Sequence, residues 1–280
     1  MKTFIHDIDE KKKLFYCIIN RKKEAFYLSN RLAKTFFPIL KVNQLVDFEV
    51  KDLQVRKFEG HPMKVYPVSH FKEIIDLKPK RVLYNLEQLR KDMKKVLKKY
   101  KYFLFLDLEM SMPGYGPEKF VPEIIQAGYV LSNKAGDVLV DEGYYIRPKH
   151  DSAINKRTIK FLKLDEEHFF NTAKTYKYFY EGLKEIVSKF KPQIVVWGKN
   201  DIQALNFSYE INHMQPLTKE NMFIDLLKLH KDYFNLQNDL GLFGAYKQYY
   251  LTDLEDQSHD ARTDAIITKD VFDAFISQMK

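Results

Sequence analysis

The stretch Phe103-Leu104-Phe105-Leu106-Asp107-Leu108-Glu109 runs apolar without a break until two carboxylates enter it. Such a run is typical of a strand buried on both faces in the middle of a sheet. Residues at i and i+2 of a strand point to the same face, so Asp107 and Glu109 are expected side by side. Two carboxylates this close raise each other's pKa or bind a cation between them. The alternative is a strand that simply ends in polar residues.

The overall composition fits a globular protein with one large domain, or with a medium and a small one. The chain has 280 residues, of which 45% are hydrophobic, and this is ordinary for a protein with a real core. No apolar run approaches the roughly 18 to 20 residues of a membrane span, and the N-terminus lacks the apolar segment of a signal peptide. The single cysteine, Cys17, argues against an internal disulfide and a cysteine-based zinc site. A cytoplasmic protein is therefore expected.

The positive charge is concentrated at the N-terminal end. Residues 1–100 hold 24 Lys and Arg against 12 Asp and Glu, whereas residues 101–280 hold 22 against 26. A basic module beside an acidic one suggests a polyanion that the first binds and the second processes. The alternative is a lysine-rich surface that serves only solubility.

The N-terminal residues 1–78 are predicted to form a small β-barrel. Short β-prone segments rich in aromatic residues are separated by polar turns. Closure into a barrel is favoured over an open sheet because it removes exposed edges. The predicted strands are 15–19, 24–28, 44–50, 53–58 and 63–68.

This order of elements resembles an OB-fold of the cold-shock type, on the hairpin 15–28, on Phe26-Tyr27-Leu28-Ser29-Asn30 and on 42–50. The glycines that such domains carry in their first RNA-facing strand are absent. The resemblance implies binding of single-stranded nucleic acid by base stacking on aromatic side chains in a basic groove. The candidates are Phe15, Tyr16, Phe26 and Tyr27, flanked by Lys11, Lys12, Lys13, Arg21, Lys22 and Lys23. Because neighbours on a strand alternate, one residue of each aromatic pair must face the core; a protein-binding module is the alternative.

Residues 79–100 are predicted as a basic connecting helix. Apolar side chains from Val82 to Tyr100 recur at three- and four-residue steps, and lysines and arginines occupy the other face. The basic face either continues a nucleic-acid track or is merely solvated.

Residues 101–280 are predicted as a mixed α/β sheet flanked by helices. A strand meander comes first, and helices then alternate with strands. Asn171 is the expected N-cap of the first long helix, 172–190. The other predicted elements are strands at 103–109, 123–131, 138–146, 193–198 and 221–227, and helices at 199–212 and 260–279.

This arrangement brings four carboxylates and a histidine toward one cleft. Asp201 follows a buried strand at a helix start, His259 lies on a loop, and Asp264 lies one turn inside the last helix. Converging carboxylates need cations, and hard oxygen ligands select Mg²⁺ or Mn²⁺. Two such ions about 4 Å apart can clamp a phosphodiester while a histidine accepts the proton of a water.

Three ordered motifs resemble those of the DEDDh (DnaQ-like) 3′–5′ exonucleases of the ribonuclease H-like superfamily, with the Eri-like branch favoured. They are Phe105-Leu106-Asp107-Leu108-Glu109, Trp197-Gly198-Lys199-Asn200-Asp201 and Ser258-His259-Asp260-Ala261-Arg262-Thr263-Asp264-Ala265. A histidine five positions before the last aspartate is typical of the histidine branch. Many members carry a Thr-Gly-Ile segment before the long helix, and the comparable residues 157–164 lack that glycine.

The resemblance implies an enzyme that trims single-stranded 3′ ends, RNA somewhat favoured over DNA, and releases 5′-mononucleotides. It implies that Asp107 bridges two ions, Glu109 and Asp264 hold one of them, and Asp201 helps the second. It also implies that His259 is the general base and that the backbone near Met110 and Ser111 contacts the 3′-terminal nucleotide. The alternative is a non-catalytic nucleic-acid-binding or regulatory protein on an exonuclease scaffold, although such proteins usually lose a carboxylate and none is missing here.

Overall fold

The computed structural model of the chain describes residues 1–115, 120–236, 238–251 and 259–279. The chain folds into two compact units, Met1–Met93 and Lys94–Met279, with the division inside one helix. Within the described ranges no helix is both long and apolar enough to cross a bilayer. Ser258 of the third motif lies outside the described residues.

The first unit consists mainly of antiparallel strands. A single short helix, α1, follows the third strand, and Ser29 caps it by accepting the Leu32 N–H. The elements in chain order are β1 (Lys2–Asp9), β2 (Leu14–Ile19), β3 (Lys22–Tyr27), α1 (Asn30–Phe36), β4 (Leu45–Val50), β5 (Gln54–Phe58), β6 (His61–Leu77) and β7 (Lys80–Asn85).

Five of these strands close into a barrel, which confirms the predicted architecture of this unit. Strand β1 pairs with β2 and β4, β2 with β3, and β4 with β6, while a parallel β3–β6 pairing closes the ring. The predicted set of barrel strands was partly wrong. Strand β5 pairs with β6 alone, as a hairpin, and the missing member is β1. Polar and charged residues interrupt the apolar ones in β1 without a regular alternation, so it stood out neither as an apolar segment nor as an amphipathic strand.

The barrel interior is a cluster of aromatic rings. Phe15, Phe26 and Phe48 are fully buried, with ring centroids 4.9 to 5.3 Å apart. The prediction that Phe15 and Phe26 bind substrate is therefore wrong, because rings that fill the core cannot stack on bases. Their neighbours Tyr16 and Tyr27 point outward and remain partly exposed.

The predicted connecting helix is shorter than expected. Residues 80–85 form β7, which pairs with β6, and helix α2 is Leu86–Leu97. Val82 and Leu83 therefore belong to a strand. Their spacing from Leu86 fits a helical repeat equally well, and a short apolar segment does not distinguish the two.

The second unit is a five-stranded mixed sheet flanked by helices, which confirms the predicted ribonuclease H-like class. The strand order is β10-β9-β8-β11-β12; β10, β9 and β8 are antiparallel, and β8, β11 and β12 are parallel. Its elements are β8 (Tyr102–Met110), β9 (Ile124–Asn133), β10 (Val138–Tyr145), α3 (Lys156–Leu162), α4 (Glu166–Thr172), α5 (Tyr176–Phe190), β11 (Gln193–Val196), α6 (Asn200–Ile211), β12 (Phe223–Asp225), α7 (Leu226–Phe234), α8 (Leu242–Tyr250) and α9 (Ala261–Gln278).

Strand β8 is buried on both faces, as its apolar run predicts. Leu104, Leu106 and Leu108 belong to the core that includes residues of α5 and α6. Phe103 and Phe105 face the other way and contact Phe272 of α9, with centroids 4.8 and 5.3 Å apart. The carboxylates at the end of this strand therefore start from a rigid base.

The first long helix begins later than predicted. Asn171 lies inside the separate helix α4, and the N-cap of α5 is Thr175, whose hydroxyl accepts the Tyr178 N–H. Asparagine and threonine are both good N-caps, so composition alone did not choose between them.

Candidate active site

Three carboxylates from two elements converge at the end of β8. Asp107 and Glu109 project from the strand and Asp264 from the first turn of α9. One oxygen of each lies within 4.8 Å of the others. The sheet and the last helix thus bring together side chains that are more than 150 positions apart in the chain.

Burial and mutual repulsion raise the pKa of every carboxylate in this cluster. Burial is the larger cause for Glu109 and raises its pKa to about 8, with Asp264 and Asp201 adding repulsion. Burial, with repulsion from Asp260, raises the pKa of Asp264 to about 6. The pKa of Asp107 is also well above its ordinary value, from burial and then from Asp201 and Asp264. A cation in the cluster would relieve this repulsion.

Asp201 lies beside the cluster rather than within the group of three. It is buried in the first turn of α6, where its Oδ1 accepts the Leu108 N–H at 3.0 Å. That amide lies between Asp107 and Glu109 in the chain, so Asp201 is fixed against the strand that carries both. Burial raises the pKa of Asp201 to about 7, although the hydrogen bond from Leu108 opposes the rise.

His259 precedes α9 and lies next to the cluster. Its Nδ1 is 3.6 Å from Oε1 of Glu109. One face of its ring stacks on Phe161 of α3, with centroids 4.4 Å apart and planes inclined by 28°. Sequence reasoning did not predict Phe161, because nothing in residues 157–164 marked it apart from its hydrophobicity.

The residues at this site fit a hard divalent cation. Its closely grouped donors are all carboxylate oxygens, the ligands that Mg²⁺ and Mn²⁺ prefer. The raised pKa values of these carboxylates indicate an electrostatic strain that such an ion would remove. Asp107, Glu109 and Asp264 are the residues that would hold it.

Ser111, directly after the end of β8, makes two hydrogen bonds within the protein. Ser111 is buried; its N–H donates to the Glu123 carbonyl at 2.8 Å and its hydroxyl accepts the Glu123 N–H at 3.0 Å. The Ser111 N–H and hydroxyl therefore hold the strand end against residue 123, and contact of the backbone at this position with the terminal nucleotide stays a prediction. Met110, at the end of β8 and partly exposed, stays a prediction.

No family model matches the chain, but a curated relative does. The chain is 30% identical over 148 residues to the probable 3′-5′ exonuclease KapD of Bacillus subtilis (strain 168), a match that spans 52% of this chain and 71% of KapD.

Solved structures of nucleases share the fold. The nuclease domain of 3′hExo, a DEDDh family member bound to rAMP, matches with a TM-score of 0.55 and 17% identity, over 64% of this chain and 92% of that one. A 3′-exonuclease in a structure of 3′-end specific recognition of a histone mRNA stem-loop matches with a TM-score of 0.56 and 16% identity, over 69% of this chain and 72% of that one. Escherichia coli exonuclease I in complex with a dT13 oligonucleotide matches with a TM-score of 0.50 and 16% identity, over 64% of this chain and 41% of that one.

The mixed sheet, with acidic residues at the end of its central strand, therefore has the ribonuclease H-like fold. The 30% identity to KapD, over 71% of that protein, identifies the family within this fold. The chain belongs to the DEDDh family of 3′–5′ exonucleases, and the predicted enzyme class is confirmed.

Proposed function

We propose that this enzyme removes nucleotides one at a time from single-stranded 3′ ends, with two divalent ions, Mg²⁺ or Mn²⁺, and with RNA somewhat favoured over DNA. The observation that carries the proposal is the convergence of Asp107, Glu109 and Asp264 within 4.8 Å, with His259 beside them. The products are 5′-mononucleotides, because water attacks the scissile phosphorus and the bond from phosphorus to the 3′ oxygen of the preceding nucleotide breaks. The phosphate then stays on the 5′ oxygen of the released nucleotide, and the shortened strand keeps a 3′ hydroxyl.

Each residue of the site has a distinct part in this proposal. Asp107, Glu109 and Asp264 would hold the first divalent ion, and Asp107 with Asp201 would help to hold the second. When bound, the ions supply an activated water and neutralise charge on the leaving oxygen. The Met110 backbone contacts the 3′-terminal nucleotide and so places the last phosphodiester beside the carboxylate cluster.

His259 is the general base of the proposed reaction. It accepts the proton of the attacking water, a role that an imidazole nitrogen can fill. Glu109 faces Nδ1 at 3.6 Å, and the Phe161 ring covers one face of the imidazole. These two contacts restrict the ring to a narrow range of orientations, which shortens the search for a productive geometry.

The first unit is proposed to hold the strand before it reaches the site. The outward rings of Tyr16 and Tyr27 have cationic neighbours, with the Lys23 Nζ 4.5 Å and the Arg56 guanidinium carbon 4.1 Å from the respective centroids. Aromatic rings combined with positive charge bind single strands with little sequence preference. The proposed domains remain 1–78, 79–100 and 101–280, although the helix within the second range covers only Leu86–Leu97 and residues 80–85 form β7.

The test is a time course with Mg²⁺ or Mn²⁺ on RNA and DNA strands of one sequence, labelled at the 5′ or the 3′ end. We expect a stepwise ladder from the 5′ label and immediate mononucleotide from the 3′ label, faster on RNA. Asp107→Ala should lower the rate by about 10³-fold, the equivalent of several kcal/mol of ion-derived stabilisation. His259→Ala should lower it by about 10²- to 10⁴-fold.

The matched control is Glu185→Ala, which removes an exposed carboxylate from α5 and should leave the rate unchanged. Trimming by Asp107→Ala at the rate of the unmodified enzyme would contradict the proposed site. Internal fragments from both labels would contradict exonucleolytic cleavage, and equal rates on RNA and DNA would contradict the substrate preference alone.

A further inference from the structure

The first turn of α9 lies directly against the backbone of the β9–β10 hairpin. Gly128 of β9 and Gly143 of β10 are cross-strand partners, and Gly128 also pairs with Asp107 of β8. A Cβ on Gly128 would lie 2.1 Å from the carbonyl carbon of Ala261, and a Cβ on Gly143 would lie 2.4 Å from the Cβ of Arg262. The helix that carries Asp264 therefore rests on a glycine pair in register with Asp107.

Gln126 is the next residue on the same face of β9, since it lies two positions before Gly128. It pairs with Glu109 across the sheet, so it is one row further along the strand end. Its side chain is buried, at 6% exposure. The amide is therefore committed to protein contacts rather than to solvent or substrate.

Both ends of the Gln126 amide bind the start of α9. Its Nε2 donates to Oδ2 of Asp260 at 2.8 Å, and its Oε1 accepts the Ala261 N–H at 3.3 Å. Asp260 in turn is the N-cap of α9, because its Oδ1 accepts the Thr263 N–H at 2.9 Å. The clamped residues thus lie between His259 and Asp264.

A carboxamide suits this position for a chemical reason. The side chain must donate to a carboxylate and accept from an N–H at the same time, and an amide offers both groups at this length without taking up a proton. A glutamate would place one carboxylate against another. A second tether, the bidentate Arg262–Asp141 pair at 2.7 and 2.8 Å, is solvent-exposed and therefore contributes less to orientation.

We propose that Gln126 is a positioning residue that sets His259 and Asp264 relative to Asp107 and Glu109. The inference rests on the proposed function, because positioning is read out as hydrolysis. It assigns to Gln126 no contact with the nucleic acid. Its loss should therefore lower kcat and leave KM for the strand almost unchanged.

The decisive test is a polarity exchange between two positions. Gln126→Glu alone sets two carboxylates against each other and should lower kcat by about 10- to 100-fold, as for supporting residues around metal ligands. Asp260→Asn alone sets two amide donors against each other and should lower kcat less. In the double variant the introduced asparagine amide donates to the introduced carboxylate, which still accepts the Ala261 N–H, and kcat should return to within about threefold of the original.

The control is Gln215→Glu, which makes the same charge change at an exposed position and should leave kcat unchanged. A second readout needs no metal and no substrate. Amide hydrogen exchange in chelator-treated protein should show faster exchange at Ala261 and Thr263 in Gln126→Glu, and restored protection in the double variant.

Each outcome supports or overturns the inference. Gln126→Glu at the original kcat, or a double variant no faster than Gln126→Glu, overturns it, and so does a change confined to KM. If the unmodified protein hydrolyses no strand, the proposed function fails, whereas the exchange pattern still decides whether Gln126 holds the start of α9. Protection that is identical in all four proteins overturns the clamp itself.

Discussion

The two units treat charge in opposite ways. In the second unit Asp201 is buried and Glu109 has a side-chain exposure of only 12%, although both are acidic and close to Asp107 and Asp264. In the first unit, where every residue up to 93 is described, Gln44 is the one buried polar side chain and the charged groups stay at the surface. Burying like charges costs free energy and persists where a function requires it. Chemistry is therefore located in the interior of the second unit, whereas any function of the first must come from its surface.

The largest effect on activity is expected from Asp264→Asn, which tests whether the buried charges of the second unit serve catalysis at a cost in stability. The change removes one charge from the carboxylate cluster while keeping the shape of the side chain. The rate of hydrolysis should fall by about 10³-fold, because part of the metal site is lost. Chelator-treated protein should nevertheless melt at a higher temperature at pH 7, because repulsion among buried carboxylates is reduced.

The melting temperature of metal-free protein should also depend on pH, and the direction follows from the pKa values of the cluster. Glu109 and Asp264 have folded-state pKa values of about 8 and 6, above the ordinary 4.5 and 3.8. A raised carboxyl pKa gives a stabilisation that is complete below the ordinary value and is lost as pH rises through the folded value. In metal-free protein the stability contributed by these two carboxyl groups should therefore fall as the pH rises from 4 to 8, and the fall should be less steep in Asp264→Asn. An identical slope in both proteins would contradict this account.

Tyr27→Ala tests whether the outer surface of the barrel binds the single strand. Loss of one stacking ring is worth about 1 to 3 kcal/mol per base, so KM for a long single strand should rise about 5- to 100-fold with kcat unchanged. The control Tyr178→Ala removes an exposed ring from α5 in the other unit and should not change KM. Unchanged KM in Tyr27→Ala would mean that this face of the barrel does not bind the strand.

The smallest effect is expected from His230, a buried base that has no part in the proposed chemistry. His230 is 1% exposed, its Nε2 contacts the Tyr249 hydroxyl at 2.9 Å, and burial lowers its pKa to about 4. The unfolded chain takes up a proton below about pH 6.5 that the folded chain resists. The stability contributed by His230 therefore falls as the pH drops from 6.5 to 4, by at most about 3 kcal/mol, opposite in sign to the contribution of the carboxylate cluster.

His230→Gln should flatten that fall, measured by urea unfolding at pH 6.5 and 4.5. His168→Gln, at an exposed position in α4, is the matched control and should leave the pH dependence unchanged. A His230→Gln protein with the original pH dependence would show that another group controls acid stability.

More of the catalytic site than of the barrel could be predicted from the sequence. Asp107 and Glu109 were identified from strand alternation and Asp264 from its place one turn inside a helix, because those periodicities are local. Phe161 and Gln126 were missed because their roles depend on pairings between distant segments. In the barrel, alternation showed that one of each aromatic pair faces inward, but it did not reveal which one.

The glycine pair at 128 and 143 also bears on how this enzyme tolerates change. At both positions the neighbouring helix occupies the volume of a methyl group. A library that varies every residue of β9 and β10 should therefore accept almost only glycine at positions 128 and 143, whereas other positions of these strands accept several residues. The separation between α9 and the sheet is consequently not adjustable by small steps in side-chain size. Variants of this chain with altered activity would have to arise from changes in the loops and helices around the site, because the separation between α9 and the sheet beneath the site cannot change.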